Sequence, residues 1–169
     1  MNNYKLDEKE LLFAKVKNVA KIPYKRDEDG CYDIYACFDD DNIVIPPHEI
    51  ALIPTGIASA FSSKYRLAIR ERGSNTKSAL ITVAGQVDSG YRGEIFVALY
   101  NSTKLPISIS KSVDEIVHKE NYTLVPYNKA IAQFAMEEVP NLNVCEIDYE
   151  DLKEIDSERG IGKLGSTEK

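Results

Sequence analysis

Long apolar runs and paired cysteines are missing from this sequence. No stretch approaches the roughly 18 consecutive apolar residues of a membrane-spanning helix, and no basic segment followed by an apolar one marks a signal peptide. Cys31, Cys37 and Cys145 are odd in number and form no Cys-x-x-Cys pair, which argues against a disulfide framework and against a zinc site. We therefore expect a cytoplasmic protein that makes no membrane contact and keeps its thiols free.

Basic residues are fewer than acidic residues. The chain carries 21 Lys and Arg residues against 27 Asp and Glu residues, a formal net charge of -6, which argues against a non-specific nucleic-acid-binding protein. A few well-placed arginines and lysines can still bind a phosphorylated ligand, because local charge overrides the net field at short range. With 169 residues, 43% of them hydrophobic, the chain is long enough for one domain with a core of its own.

Helical periodicity is weak, and most of the chain shows short runs rich in β-branched and aromatic residues, separated by Gly, Pro, Asn or Asp. This pattern predicts an all-β protein, a jelly-roll-like barrel. Segments 112–119 and 149–155 are the best candidates for short helices, and the polar stretch 157–169, taken alone, is typical of a flexible tail. The predicted strands are Leu11–Val16, Ile43–Ile45, Ile50–Ile53, Tyr65–Ile69, Ala79–Val83, Ile95–Tyr100, Ile107–Ser110 and Ile131–Val139.

A glycine-rich turn between two predicted strands is the most informative segment. It runs from Gly85 to Gly93 with the sequence GQVDSGYRG, and it places a carboxylate, Asp88, three residues before an aromatic ring, Tyr91. Such a turn can form a tight pocket that holds one carboxylate and one ring face. Taken alone, the turn fits a hairpin with a charged tip equally well.

Four further segments carry polar side chains that could act on a ligand. They are 29–36 (DGCYDIYA), 70–77 (RERGSNTK), 129–134 (KAIAQF) and 158–167 (ERGIGKLGST). Each has an ordinary explanation when taken alone: Asp33 fits a surface strand, Gln133 a strand edge, and the arginines a solvated face. Their order and spacing along the chain carry more weight than any one of them.

Together and in this order, the five segments resemble the five motifs of the trimeric dUTPase family, enzymes that hydrolyse dUTP to dUMP and diphosphate. The resemblance extends from about Asp29 to Thr167. It is most specific at the 85–93 turn, which is similar to the family pattern Gly-Val-Ile-Asp-x-x-Tyr-Arg-Gly. The resemblance implies a dUTP diphosphatase of the bacterial or bacteriophage branch, which keeps uracil out of DNA and supplies dUMP for thymidylate synthesis.

The resemblance implies a role for each residue of the turn. Asp88 matches the carboxylate that activates the attacking water, a task that a positioned carboxylate can perform without a histidine. Tyr91 matches the ring that packs on the deoxyribose and leaves no space for a 2′-hydroxyl. Gly85, Gln86 and Val87 match the backbone that reads uracil, and a glycine lets a base approach the main chain closely.

The other motifs are implied to bind the phosphates and, indirectly, a metal ion. Mg²⁺ is the implied cofactor, held mainly by the three phosphates and by water, with Asp33 reached through a water molecule. Catalysis is then an in-line attack of water on the α-phosphorus. The implied substrate-binding residues are Arg72, Gly73, Ser74 and Lys77 of the second motif, Gln133 of the fourth, and Arg159, Leu164, Gly165, Ser166 and Thr167 of the fifth.

The sequence departs from the family pattern in several places. Cys31 stands where Gly is usual, and the second motif has one residue more than the usual Arg-Ser pair, which leaves open whether Arg72 and Ser74 take the usual places. Leu164 stands where Phe is common. A leucine can cap the base by apolar contact, but it lacks the ring stacking that contributes roughly 1 kcal/mol. The link 111–127 between the third and fourth motifs is longer than usual, and we expect it to form an added surface loop or short helix.

Two alternatives to a dUTP diphosphatase are open from the sequence. The related dCTP deaminases share the fold and the turn but need a glutamate in the following strand, where this chain has Ala98, and the nearest carboxylate, Glu94, aligns poorly. A non-catalytic nucleotide-sensing or regulatory protein would keep the pocket. Asp88, Gln133 and Arg159 argue against that alternative, because a binding protein has no use for a water-activating base.

The resemblance also implies a homotrimer with shared active sites. We expect residues 1–156 to form the barrel and residues 157–169 to form a flexible arm, which has too few apolar residues to fold on its own. Each pocket then combines the turn of one chain, the phosphate-binding segments of a second and the arm of a third. A closed cyclic trimer permits this arrangement, because every head-to-tail contact repeats until the ring closes.

Overall fold

A computed structural model describes residues 5–161 as thirteen strands, one 3₁₀ helix and one short α-helix, which confirms the predicted all-β class. The 3₁₀ helix is Gly73–Lys77, and α1 is Tyr149–Lys153. The strands are β1 (Leu11–Lys15), β2 (Tyr32–Tyr35), β3 (Asn42–Ile45), β4 (Ile50–Pro54), β5 (Ile57–Phe61), β6 (Tyr65–Arg70), β7 (Leu80–Val83), β8 (Gln86–Val87), β9 (Phe96–Asn101), β10 (Ile107–Ser110), β11 (Val117–His118), β12 (Thr123–Pro126) and β13 (Ala130–Glu138).

The strands of the described chain form four small sheets. Their strand orders are β1-β5, β11-β12-β10-β3, β2-β13-β6-β8 and β4-β9-β7. Neighbours run antiparallel, except that β10 runs parallel to β12. In the third sheet, β13 lies between β2 and β6, and β6 also pairs with β8. This sheet therefore brings parts of four predicted motifs side by side, although they are far apart in sequence.

The four sheets pack around one apolar core. Each contributes fully buried side chains, among them Phe61, Ile45, Phe134 and Leu99. The Phe134 ring of β13 stacks on the Tyr32 ring of β2, with centroids 4.9 Å apart. Side chains alternate between the two faces of a strand, so every second residue of β5 points into the core. The inward-pointing side chains of all four sheets together fill the interior of the barrel.

The predicted strands are all present, with ends that differ by at most one residue, as expected for strand boundaries. The helix predicted at 149–155 is confirmed as α1, but the helix predicted at 112–119 is wrong. That segment forms turns and then β11, which pairs with β12. The Ser112 amide donates to Ser110 Oγ at 3.1 Å, and such local side-chain bonds compete with the hydrogen bonds of a helix.

The chain divides into two compact units, Met1–Val139 and Pro140–Lys169. The first contains every strand of the described residues, and the described part of the second contains α1. The predicted boundary between residues 156 and 157 stays a prediction. Among the described residues, no helix is long and apolar enough to cross a membrane. The second unit exposes several apolar side chains, namely Leu142, Val144, Ile147, Leu152 and Ile155.

Candidate functional site

The turn predicted to read a base begins at Gly85, where the chain passes directly against β6. The Ile69 amide donates to Gly85 O at 2.6 Å, and β8 then pairs with β6 through Val87 and Leu67. A Cβ at position 85 would lie 2.3 Å from Ile69 O, which is too close for any side chain. Glycine is therefore required by the contact between the two backbones, and the turn is fixed to the barrel at its base.

Asp88 and Tyr91 lie at the tip of this turn. The Tyr91 amide donates to Asp88 O at 3.1 Å, and the Arg92 guanidinium donates to Ser89 O, so the tip is held by its own hydrogen bonds. Asp88, Tyr91 and Gln86 line a cavity of about 260 Å³. Asp88 is exposed, and 47% of Tyr91 is exposed. On a single chain, the cavity is therefore open to solvent.

Arg72 is the centre of a second polar cluster, on the β2-β13-β6 side of the barrel. Its Nε lies 2.9 Å from Asp33 Oδ1, and its Nη2 lies 3.3 Å from Asp33 Oδ2. Its Nη1 donates to Ser74 Oγ at 3.2 Å and to Ala130 O at 3.3 Å. The planar fork of one guanidinium thus joins the first, second and fourth motifs. The additional residue, Gly73, leaves Arg72 and Ser74 in direct contact.

Two amide side chains fix this cluster to β13. Gln133 lies opposite Asp33 of β2, and its Nε2 donates to Glu71 O at 2.7 Å. Asn75 is buried in the 3₁₀ helix, and its Nδ2 donates to Ile131 O at 3.0 Å. These bonds hold the backbone of the second motif along the fourth without a ligand. No local sequence pattern indicates this role of Asn75, because its partner lies on a strand that is distant in sequence.

Two cavities meet at Arg72. The larger, of about 680 Å³, is lined by Asp33, Gln133 and the loop 24–31. The smaller, of about 390 Å³, is lined by Ser74 and by Lys77, an exposed residue of the 3₁₀ helix. The smaller cavity is also lined by three charged residues that are not among the predicted site residues: Asp114, Glu115 and Lys129.

The loop 24–31 forms one wall of the larger cavity. Arg26 donates to the Asp29 carboxylate from Nε and from Nη2, both at 2.9 Å, and these bonds hold the pKa of Asp29 below its ordinary value. The Asp33 amide donates to Tyr24 O at 3.1 Å, which joins this loop to β2. Cys31 lines the same cavity and adds a thiol side chain to it.

The long link between the third and fourth motifs is part of the barrel, because its strand β12 pairs with β10, and side chains near its start make further contacts. Lys111 Nζ donates to Asp39 O at 2.8 Å and lies 5.2 Å from the centroid of the Tyr127 ring. Further along, Asp114 Oδ1 accepts a hydrogen bond from Asn128 Nδ2 at 2.7 Å. The link therefore forms one wall of the smaller cavity beside the 3₁₀ helix.

Within residues 5–161, the cavity that Asp88 and Tyr91 line includes no residue of the Arg72 cluster. Asp88 and Tyr91 line the cavity of about 260 Å³, whereas Arg72 lines the other two. Arg159 belongs to the second compact unit. The remaining predicted residues of the fifth motif, Leu164, Gly165, Ser166 and Thr167, lie outside the described residues.

The strand after the turn lacks the base that a deaminase needs. Ala98 of β9 is buried opposite Leu52 of β4 and Val83 of β7. The carboxylate of Glu94 accepts a hydrogen bond from the Gly56 amide at 2.7 Å, so it is directed at the turn between β4 and β5. Neither position offers a carboxylate that is free to activate water beside a cytosine ring.

Comparisons with known proteins agree with this geometry. The family model described as dUTPase matches residues 17–114. A deoxyuridine 5'-triphosphate nucleotidohydrolase of Gloeothece citriformis is 34% identical over 161 residues, 93% of this chain and 95% of that protein. The protein of the same name in Clostridioides difficile is 31% identical over 162 residues, 93% of this chain and 96% of that protein.

Solved structures show the same fold. A Staphylococcus bacteriophage 80alpha dUTPase with dUpNHpp matches with a TM-score of 0.74 and 22% identity, over 94% of this chain and 98% of that one. The dUTPase of the Staphylococcus aureus phage phi11 matches with a TM-score of 0.66 and 18% identity, over 82% and 96% of the two chains.

The four sheets around one core define a jelly-roll β-barrel, which confirms the predicted architecture. The family model matches more than half of this chain. The chain therefore belongs to the dUTPase family, as the order of its motifs predicted.

Proposed function

We propose that this protein is a dUTP diphosphatase that hydrolyses dUTP to dUMP and diphosphate in the cytoplasm. The proposal rests on the turn that carries Asp88 and Tyr91 at its tip, in a chain of the dUTPase family. The backbone of Gly85 packs directly against β6 and fixes the base of this turn. Removal of dUTP keeps uracil out of DNA, and the dUMP formed is the substrate for thymidylate synthesis.

The turn has a separate task for each part of the nucleoside. The backbone of Gln86 and Val87 offers N–H and C=O groups to the edge of uracil, in a turn too narrow for the 5-methyl group of thymine. The Tyr91 ring packs on the deoxyribose and excludes a 2′-hydroxyl. Asp88 acts as the general base, because its carboxylate can hold a water molecule and accept its proton as the water attacks the α-phosphorus.

The Arg72 cluster is the proposed phosphate site. Lys77 and Ser74 are exposed at the cavity and supply an ammonium and a hydroxyl to phosphate oxygens. Gln133 helps to hold the α-phosphate and the attacking water. Arg72 contributes its positive charge, while most of its donors hold Ser74 and Asp33 in place. Arg159 and residues 164–167 are proposed to close over the triphosphate from another subunit.

Magnesium is the proposed cofactor. Among residues 5–161, no group of three His, Cys, Asp or Glu side chains could hold a metal ion. The Asp33 carboxylate is partly exposed beside Arg72, in a cavity that the carboxylate-bearing residues Glu28 and Asp29 also line. Mg²⁺ keeps several waters and needs few protein ligands when phosphates supply oxygen, so this donor set fits an ion that reaches Asp33 through water. When bound, the ion neutralises charge on the phosphates.

A homotrimer with shared sites is the proposed assembly. The outer face of the β4-β9-β7 sheet exposes Ile50, Leu52, Ile81 and Phe96, and Ile50 and Ile81 flank Tyr100 in one row across the three strands. A contiguous apolar face of this kind usually marks an interaction surface. A second copy that covers it could bring its Arg72 cluster to the turn, whose cavity, among residues 5–161, is lined by none of the proposed phosphate-binding residues.

The decisive experiment is an assay of diphosphate release from dUTP, dCTP, dTTP and UTP. We expect turnover of dUTP alone, and an Asp88→Asn variant should lose about 10²- to 10⁴-fold in kcat while it still binds the nucleotide, because it lacks only the base. Absence of dUTP turnover with retained nucleotide binding would favour the non-catalytic sensor. Release of ammonia from dCTP would favour the deaminase.

A further inference from the structure

Glu94 directly follows the turn that carries Asp88 and Tyr91, and its side chain reaches a fixed point on the barrel. Its Oε1 accepts the Gly56 amide at 2.7 Å in a partly buried position. Gly56 has a φ of 67°, and a Cβ there would lie 2.7 Å from Cys37 Sγ. Few residues other than glycine adopt this φ, and Cys37 and Ala20 fill the space where a side chain would lie, so the Gly56 amide is held in a closely packed backbone segment.

The main chain beside Glu94 is anchored at the same loop. The Ile95 amide donates to Ile57 O at 2.8 Å, and the Thr55 hydroxyl donates to Ile95 O. These bonds hold Ile95 immediately before β9 but do not extend to the tip of the turn. The bond between the Glu94 carboxylate and the Gly56 amide fixes the residue next to Ile95, which is one position closer to the tip of the turn.

The Tyr91 ring rests on the same residue. Its hydroxyl donates to Glu94 O at 3.0 Å. A Cβ at Gly93 would lie 2.4 Å from the Tyr91 hydroxyl oxygen, so the ring lies across the Gly93 backbone. Glu94 therefore holds the ring through its carbonyl and the barrel through its carboxylate. It also lines the same cavity as Asp88 and Tyr91.

We propose that Glu94 is a positioning residue that sets the angle of the Tyr91 ring and thereby the preference for deoxyribose over ribose. This inference rests on the proposed function, which places the sugar on Tyr91. A hydrogen bond from an amide to a carboxylate is about twice as strong as a neutral one. Without it, segment 91–94 pivots about Ile95, the ring tilts, and space opens for a 2′-hydroxyl.

The test compares Glu94→Ala with Glu94→Gln, because glutamine keeps an oxygen that can accept the Gly56 N–H. Binding of dUMP and of UMP is measured by calorimetry for each variant. We expect the preference for dUMP over UMP to fall about tenfold in Glu94→Ala, which is the size of effect expected when one charge-assisted hydrogen bond is lost. Glu94→Gln should keep most of that preference. Glu120→Ala, a change in the exposed part of the long link, is the control and should bind like the unmodified protein.

Hydrogen exchange of the Gly56 amide, measured by NMR without nucleotide, reports the contact itself. Exchange should be about tenfold faster in Glu94→Ala and nearly unchanged in Glu94→Gln. Equal dUMP preference in Glu94→Ala and the unmodified protein would overturn the inference. Neither measurement requires turnover, so an absence of dUTP hydrolysis would count against the proposed function and leave the result on Glu94 readable.

Discussion

The guanidinium of Arg72 makes a set of contacts that a lysine could not reproduce from the same backbone position. It reaches both oxygens of Asp33 and two further acceptors, Ser74 Oγ and Ala130 O. An ammonium group is a point charge on a flexible stem and cannot span these acceptors at once. Charge alone therefore does not account for an arginine at this position.

We expect Arg72→Lys to raise the KM for dUTP about tenfold although the charge is kept, because Ser74 and Asp33 lose their common partner. Steady-state kinetics at several dUTP concentrations measure the change. Arg66→Lys is the matched control, because Arg66 also pairs with a carboxylate, that of Glu137 at 2.8 Å, away from both cavities at Arg72. A KM that is unchanged in Arg72→Lys would assign Arg72 to charge balance only.

The three thiols differ in environment. All are free, with Cys37 buried and Cys145 exposed. Burial raises the pKa of Cys37, because the thiolate loses solvation. With a disulfide reagent at pH 8, Cys145 should react rapidly and Cys37 only at the rate at which the barrel opens. A Cys145→Ser variant should lose the fast phase. Three thiols reacting at one fast rate would contradict the packing around Gly56.

At the scale of elements, the turn depends on the strand beneath it. Gly85→Ala places a Cβ against Ile69 O, so we expect a loss of roughly 1–3 kcal/mol in unfolding free energy, typical of overpacking. Gly90→Ala is the matched control, since a Cβ there meets nothing within 4 Å. Urea unfolding measures both. Equal stability of the two variants would mean that the backbone contact at Gly85 is not tight.

The sequence predicts the positions of strands better than it predicts which residues pair across the fold. Ile107–Ser110 was predicted with its observed ends because its β-branched residues lie between turn residues. Strand β5 was not predicted, since its alanines and serine are not typical of strands, and it forms because Ile57 and Phe61 are buried. The turn could be located from its glycines, but the reason for Gly85 lies in Ile69. The pairing of Arg72 with Asp33 joins residues 39 positions apart, which no local pattern indicates.

At the scale of the whole molecule, the proposed site joins the turn of one chain to the Arg72 cluster of another. A mixture of Asp88→Asn and Arg72→Ala chains tests this. Each variant alone should be nearly inactive. In randomly mixed trimers, about a quarter of the sites combine an intact turn with an intact cluster, so about a quarter of the activity should return. Co-refolded chains are compared with separately refolded chains mixed afterwards. No recovery would indicate that each chain builds its own site.

The apolar row on the β4-β9-β7 face has a consequence for temperature. Burial of such a surface is driven near room temperature by the release of ordered water, and this driving force weakens on cooling. Polar contacts between subunits do not weaken in the same way. If the proposed trimer relies on the exposed residues Ile50, Leu52 and Phe96 for contact, it is therefore loosest in the cold, and a subunit that leaves it would take part of two neighbouring sites with it.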